Sequence, residues 1–132
     1  PVASEREDFF RRKIDAGAQY GITQMIFDPQ AYERFVAGFS VPILAGTRVL
    51  ASQEQAMRMT QRFGCAVPDW LLDRLPSEFL VKSDAASARA MAWEAFLELA
   101  QRLKNAGAPG LHLFVLGDTV GTSEIITRLR RP

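Results

Sequence analysis

The sequence predicts an α/β protein with parallel strands, on three observations. Short apolar runs alternate with longer segments of helical periodicity, the pattern of strands joined by helical crossovers. The short runs are apolar almost throughout, as strands covered on both faces are. Capping residues stand at the helix starts between them.

Each element follows in chain order. Ser4 with Glu7 is a capping-box pattern, and the helix it opens runs to Ala16 and stops at Gly17. Phe9, Phe10 and Ile14 fall roughly on its one apolar face. Ile22–Phe27 is the first strand. Asp28 is a good N-cap and Pro29 a good first helical residue for a second helix, whose buried stripe is Tyr32, Phe35, Val36 and Phe39. Val41–Ala45 reads as the second strand and residues 46–51 as a loop. Ser52 and Gln55 form another Ser-x-x-Gln box, opening a third helix that ends near Gly64. Val67-Pro68-Asp69 introduces a short helix with Trp70, Leu71, Leu72 and Leu75, broken by Pro76; residues 77–82 read as loop. Ser83 caps the longest helix, 84–106, with Ala88, Met91, Ala92, Ala95, Phe96, Leu99 and Leu103 at helical spacing. Gly107 and Pro109-Gly110 end it. Leu111–Leu116 is the third strand, and Thr122–Arg130 a final helix with Ile125, Ile126 and Leu129 inward. The order is α-β-α-β-α-α-α-β-α. An open three-stranded sheet leaves two apolar edges, so the chain is expected to be incomplete as a stand-alone core. Beginning at Pro1 rather than Met fits a processed chain or a fragment.

Composition narrows the function classes. At 132 residues, 48% hydrophobic and 23% charged, the chain has the make-up of one soluble globular domain or a piece of one. A net charge of +1 gives no electrostatic case for nucleic acid or an anionic membrane surface. A single cysteine, Cys65, excludes an internal disulfide framework and fits a reducing cytoplasm. No apolar run approaches the ~20 residues that span a bilayer, and the N-terminus does not have the layout of a signal peptide. GxGxxG, P-loop, HExxH, GxSxG and CxxC patterns are absent from the sequence. Glu94 and Glu98 lie at helical spacing on a face expected to be solvated, a poor glycosidase pair. The one histidine, His112, has no Cys, Asp or Glu at ligand spacing, so no metal is expected.

The most informative stretch is KIDAGAQYGITQMIFD, residues 13–28. A polar Gln24 sits inside an otherwise apolar strand, and its amide needs a partner in the protein or in a ligand. The stretch resembles the sixth βα unit of the methylenetetrahydrofolate reductase barrel. VPILAG (41–46), VPDWLLDRL (67–75) and GLHLFVL (110–116) resemble further segments of that family, in order and at compatible spacing. Each is weak alone; together they cover nearly the whole chain and are fairly specific. The resemblance implies that the strands are the last three of a TIM (β/α)8 barrel, with residues 1–132 as a single partial domain at its C-terminal end. It implies a cytoplasmic oxidoreductase of one-carbon metabolism and methionine biosynthesis. That enzyme reduces 5,10-methylenetetrahydrofolate to 5-methyltetrahydrofolate with NAD(P)H through FAD. The rest of the barrel would come from the same or another chain, and family members commonly self-associate as homo-oligomers. The general acid and most flavin contacts belong to the family's N-terminal half, so no catalytic residue is expected here.

The resemblance also marks individual residues. Gln24 matches a glutamine that hydrogen-bonds the pterin; read locally, it is a strand amide satisfied by neighbouring backbone. Gln55 and Met59 match a Gln and a Phe that meet nicotinamide and folate; read locally, they are a capping-box residue and a core methionine. Lys13 matches a lysine at a flavin phosphate, against a solvated helix lysine. Arg6 stands where the family often has an acid that binds the flavin ribose, a contact a guanidinium cannot make. Leu116, Gly117 and Asp118 fall where the family has Leu-Asn-Arg; Leu116 and Asp118 are thus substrate-side positions, though Asp118 replaces a base with an acid and reads locally as a turn residue. Asp28 is expected as an N-cap, His112 and Trp70 as structural, Cys65 as inert, and Arg128, Arg130 and Arg131 as a solvated terminus. Arg6, Met59 and Asp118 depart from the family at ligand-contact positions. Two alternatives therefore stand: a divergent barrel paralogue with altered cofactor or substrate, and a non-catalytic scaffold or partner-binding domain.

Overall fold

The computed structural model describes the backbone of residues 3–131 and the side chains of residues 6–131. The expected capping role of Ser4 lies outside the described side chains. Three parallel strands, β1 (Gly21–Met25), β2 (Ile43–Thr47) and β3 (Leu111–Leu113), form one sheet in sequence order. Among the described residues seven helices connect or flank them: α1 (Ala3–Asp15), α2 (Pro29–Val36), α3 (Gln53–Phe63), α4 (Asp69–Leu72), α5 (Glu78–Ser83), α6 (Ala85–Asn105) and α7 (Thr119–Leu129).

Local sequence signals set most helix ends. Asp28 accepts the Gln30 N–H at 3.0 Å and Pro29 opens α2. Ser52 accepts the Gln55 N–H at 3.0 Å to open α3. α1 and α6 both end on a glycine with positive φ, Gly17 and Gly107. In each, the next residue's N–H reaches five residues back, Ala18 to Lys13 and Ala108 to Leu103, which closes the last turn as a Schellman motif.

The core lies between the sheet and the helices. Ala45 on β2, Phe27 after β1 and Tyr32 on α2 pack with Leu71, Phe96, Leu99, Leu103 and Ile125, all essentially inaccessible to water. Tyr32 is tied in by its hydroxyl, which donates to the Ile43 carbonyl at 2.7 Å and so satisfies the one polar atom the ring carries into the core. Phe10, Phe35 and Phe39 form an edge-on aromatic cluster that fastens α1 to α2, with centroids 5.0–5.4 Å apart. Phe10 also lies where a side chain at Gly21 would stand.

Several boundaries differ from expectation. Residues 77–82 are not loop: Ser77 Oγ accepts the Leu80 N–H at 3.2 Å and starts α5, and the Glu54 carboxylate accepts the Glu78 N–H at 2.9 Å. Ser83 therefore ends α5, and Asp84 caps α6 through the Ser87 N–H. Met91 is exposed rather than inward. β2 lies two residues later than 41–45. Pro42 can offer only its carbonyl, to the Gly21 N–H, while Ala45 donates to Gly110 O and Thr47 accepts from Phe114 N–H. β3 stops at Leu113 because the chain turns away at Leu116 and Gly117, both at positive φ. α7 begins at Thr119, three residues early, because Asp118 supplies its cap. Among the described residues no helix is long and apolar enough to cross a membrane, and no cluster of His, Cys, Asp or Glu could hold a metal ion.

Candidate functional site

Parallel strands in sequence order bring their C-terminal ends to one edge of the sheet, where α/β folds place their ligand sites. Here that edge carries Gln24 near the end of β1, Arg48 directly after β2, and the Leu116–Asp118 turn after β3.

Gln24 sits on an irregular rung. Ile22 pairs with Leu44 and Met25 with Gly46, so β1 spends one more residue than β2 over the same span. The extra residue breaks the ladder, and a side chain repairs it. Gly46 N–H donates to Thr23 Oγ1 at 2.8 Å, the Thr23 hydroxyl donates to Gln24 O at 2.7 Å, and Ile26 N–H donates to Gly46 O at 2.8 Å. Such bulges re-aim the residues they contain. The Gln24 side chain is exposed and has no hydrogen-bond partner among the described residues, so its amide presents donor and acceptor outward. Gly46 makes the arrangement possible. A Cβ there would collide with Thr23 O and would lie 2.8 Å from the Phe114 ring and 3.2 Å from Gln24 O. Phe114 in turn packs edge-on against His112 at 4.8 Å, which gives the lone histidine an aromatic neighbour.

The other expected site residues are held in different ways. Gln55 turns back on its own helix start, its side-chain oxygen accepting the Ala51 N–H at 2.6 Å while its backbone N–H serves Ser52. Met59 is 6% exposed and belongs to the hydrophobic core. Leu116 is 59% exposed with φ of 46°, in the left-handed region that a branched side chain enters at a cost. Asp118 accepts the Gly121 N–H at 2.9 Å and caps α7. Lys13 is exposed in the last turn of α1, on the helix leading into the start of β1 rather than at a strand end, and it has no ion pair among the described residues. Arg6 is exposed.

Asp28 is an N-cap, as expected. Trp70 is half-buried under the Arg102 guanidinium, 3.9 Å from its ring centroid. Glu98 is less solvated than expected, paired with both Arg74 and Arg102. Burial pushes the Cys65 thiol above its ordinary value, which suppresses the thiolate and its reactivity.

Two residues of this edge carry no motif in the sequence. Thr23 has none because its role depends on register. Arg48 had a signal, a charge placed immediately after an apolar strand, but its surroundings depend on the turn after β3. The end of β2 is also where hydrogen bonding is incomplete: Thr47 Oγ1, on a residue with no exposed surface, and Arg48 Nε are buried without partners.

The matches to known proteins run along the same stretch of chain. The family model for methylenetetrahydrofolate reductase matches residues 3–130. A probable methylenetetrahydrofolate reductase (NADPH) of Caenorhabditis elegans is 28% identical over 127 residues, 92% of this chain and 19% of the relative. The 5,10-methylenetetrahydrofolate reductase of Escherichia coli is 26% identical over 111 residues, 80% of this chain and 36% of that protein. A solved structure from Clostridium thermocellum, of a protein that binds two copies of 5-methyl-5,6,7,8-tetrahydrofolic acid, superposes over 96% of this chain and 48% of its own, with TM-score 0.51 and 17% identity. That likeness is one of fold. The chain spans between about a fifth and about a third of these two reductases' length, 19% and 36%. With a family model covering all but a few terminal residues, the chain belongs to the methylenetetrahydrofolate reductase family.

Proposed function

We propose that these residues form the folate-facing, C-terminal part of a (β/α)8 barrel that reduces 5,10-methylenetetrahydrofolate to 5-methyltetrahydrofolate. The observation that carries the reading is Gln24: an exposed amide without a partner among the described residues, held on a repaired bulge at the strand-end edge. A primary amide donates and accepts in one plane, which suits the alternating donors and acceptors of a pterin edge. The two unpaired edges of the sheet, β1 and β3, are the places where the remaining strands would join, from the same chain or another.

In this reading a bound flavin would supply the redox chemistry between NAD(P)H and the folate. The residues present here do not build a flavin site by themselves. Lys13 is a suitable cation for a phosphate, but Arg6 cannot accept a ribose hydroxyl. The chain's own contribution is to bind and orient the pterin. Gln24 fixes the ring edge, and Leu116, after β3, offers an exposed apolar surface at the same end of the sheet. The single half-buried thiol and the balanced charge suit a cytoplasmic enzyme. Gln55, Met59 and Asp118 are occupied by a cap, the core and another cap, and this favours a second reading: a barrel paralogue with altered substrate or cofactor.

The test is made on the full-length protein. Flavin absorbance, NAD(P)H-dependent folate reduction and a loss of folate affinity of about tenfold or more in Gln24→Ala, with an unchanged melting temperature, are expected. Unchanged folate affinity in that variant would remove Gln24 from the site. A full-length protein that binds folate without flavin would favour the paralogue.

A further inference from the structure

We propose that Arg48 is an anion-binding residue of the strand-end site, taking a carboxylate or phosphate oxygen of the ligand that Gln24 meets. The inference rests on these strand ends being the ligand site. Arg48 follows β2 without an intervening residue, so its backbone is set by the sheet, at the same edge as Gln24 and the Leu116–Asp118 turn. Its Nε is buried and has no hydrogen-bond partner, and the guanidinium makes no ion pair among the described residues. The residue as a whole is half-buried, and a guanidinium does not discharge by losing its proton, so Arg48 stays a cation whose inner N–H is cut off from water and has no acceptor among the described residues. Burial pulls its pKa below the ordinary value, and the charge of Asp118 opposes that shift.

Asp118 is the carboxylate in a position to neutralise Arg48, yet it is committed elsewhere. Its Oδ1 accepts from Gly121 N–H, and it does not come within ion-pair distance of Arg48. An arginine serving only the fold would be expected to close on that acid. Left open, its planar fork presents parallel N–H groups of the spacing that carboxylates and phosphates accept. Asp118 alone would repel an anion at this edge; Arg48 supplies the attraction from the neighbouring strand.

The anion has two possible sources, the carboxylate tail of a folate and the diphosphate of a dinucleotide, and three probes separate them. Full-length wild type, Arg48→Met and Arg48→Lys are titrated with 5-methyltetrahydrofolate, with a tetrahydropterin lacking the aminobenzoyl-glutamate tail, and with inorganic pyrophosphate. Ligand-free melting is recorded for each. If the source is the folate tail, Arg48→Met binds 5-methyltetrahydrofolate about tenfold or more weakly, binds the tail-less pterin unchanged, and melts at or above the wild-type temperature. Arg48→Lys recovers part of the affinity. Loss confined to pyrophosphate supports the same anion site with the dinucleotide as its source.

Wild-type binding of all three probes by Arg48→Met would overturn the proposal. So would a drop of several degrees in its ligand-free melting temperature, which would mean that Arg48 pairs with an acid elsewhere in the whole protein. Failure of the folate reading looks different: wild type would then bind neither the folate nor the tail-less pterin. The pyrophosphate titration would still decide the role of Arg48.

Discussion

The middle of the β2 strand and its C-terminal end obey different rules. Toward the helices, Ala45 meets a dry core in which the Tyr32 hydroxyl is satisfied by Ile43 O. At the strand's C-terminal end, Thr47 and Arg48 bury polar atoms without partners, and β1 alongside departs from regular pairing. Orphaned groups and broken registers each cost free energy, and native folds keep few of them. The contrast separates what holds the chain together from what the strand ends are available to do.

Mutations can break the contrast at either end. The largest effect is expected in the core: Leu103→Ala, at a residue with no exposed surface, should destabilise by about 2–5 kcal/mol in urea titrations of the full-length protein. Gly46→Ala tests the junction of the two regions. Its new methyl group meets the backbone oxygens of Thr23 and Gln24, which cannot swing aside as a side chain would. A loss of about 1–3 kcal/mol together with weakened folate binding is expected; full stability would mean the close approach relaxes freely. Thr23→Val keeps the shape and removes the hydroxyl, which leaves Gly46 N–H unpaired. A cost of about 1–2 kcal/mol, recovered by Thr23→Ser, would confirm that the hydroxyl completes the ladder. Equal behaviour of Val and Ser variants would refute that role.

The smallest effect is far from the site, at Asp84. Hydrogen bonds from Ser87, first from its hydroxyl and then from its backbone, hold the Asp84 carboxyl below its ordinary pKa. A lowered folded-state pKa stabilises at pH values above the ordinary carboxylate range, and the contribution is lost as the pH falls through the folded value. An acid titration of stability should therefore be slightly shallower in Asp84→Asn than in wild type. Because Asp84 is fully exposed, solvent screening keeps the difference small.

What could be read from the sequence divides along the same line. The caps at Asp28 and Ser52 and the stops at Gly17 and Gly107 are decided within four or five residues of chain, and they stand where the sequence places them. α5 is hidden in the sequence because Pro76 signals a helix end one residue before Ser77, whose hydroxyl starts the next helix. The apolar run 111–116 outlasts β3 because hydrophobicity continues after pairing has stopped. The bulge at Thr23 and Gln24 is invisible in the sequence, since it exists only in the register between β1 and β2. Gln24 itself was legible as a polar residue in an apolar run. The surroundings of Arg48 were not, because Asp118 reaches its neighbourhood only through the fold.

The rung at Gly46 also has a kinetic meaning. A backbone rung opens when strands separate, whereas one closed by a hydroxyl can open by rotation about a single side-chain bond while the sheet stays whole. The Gly46 amide should then exchange its hydrogen with solvent through local fluctuation. Ala45, bonded to Gly110 O one residue earlier, should wait for a larger opening. A molecule resting on Gln24 restrains the same short segment of backbone. If the strand ends hold a ligand, the Gly46 amide would report its arrival through slowed exchange.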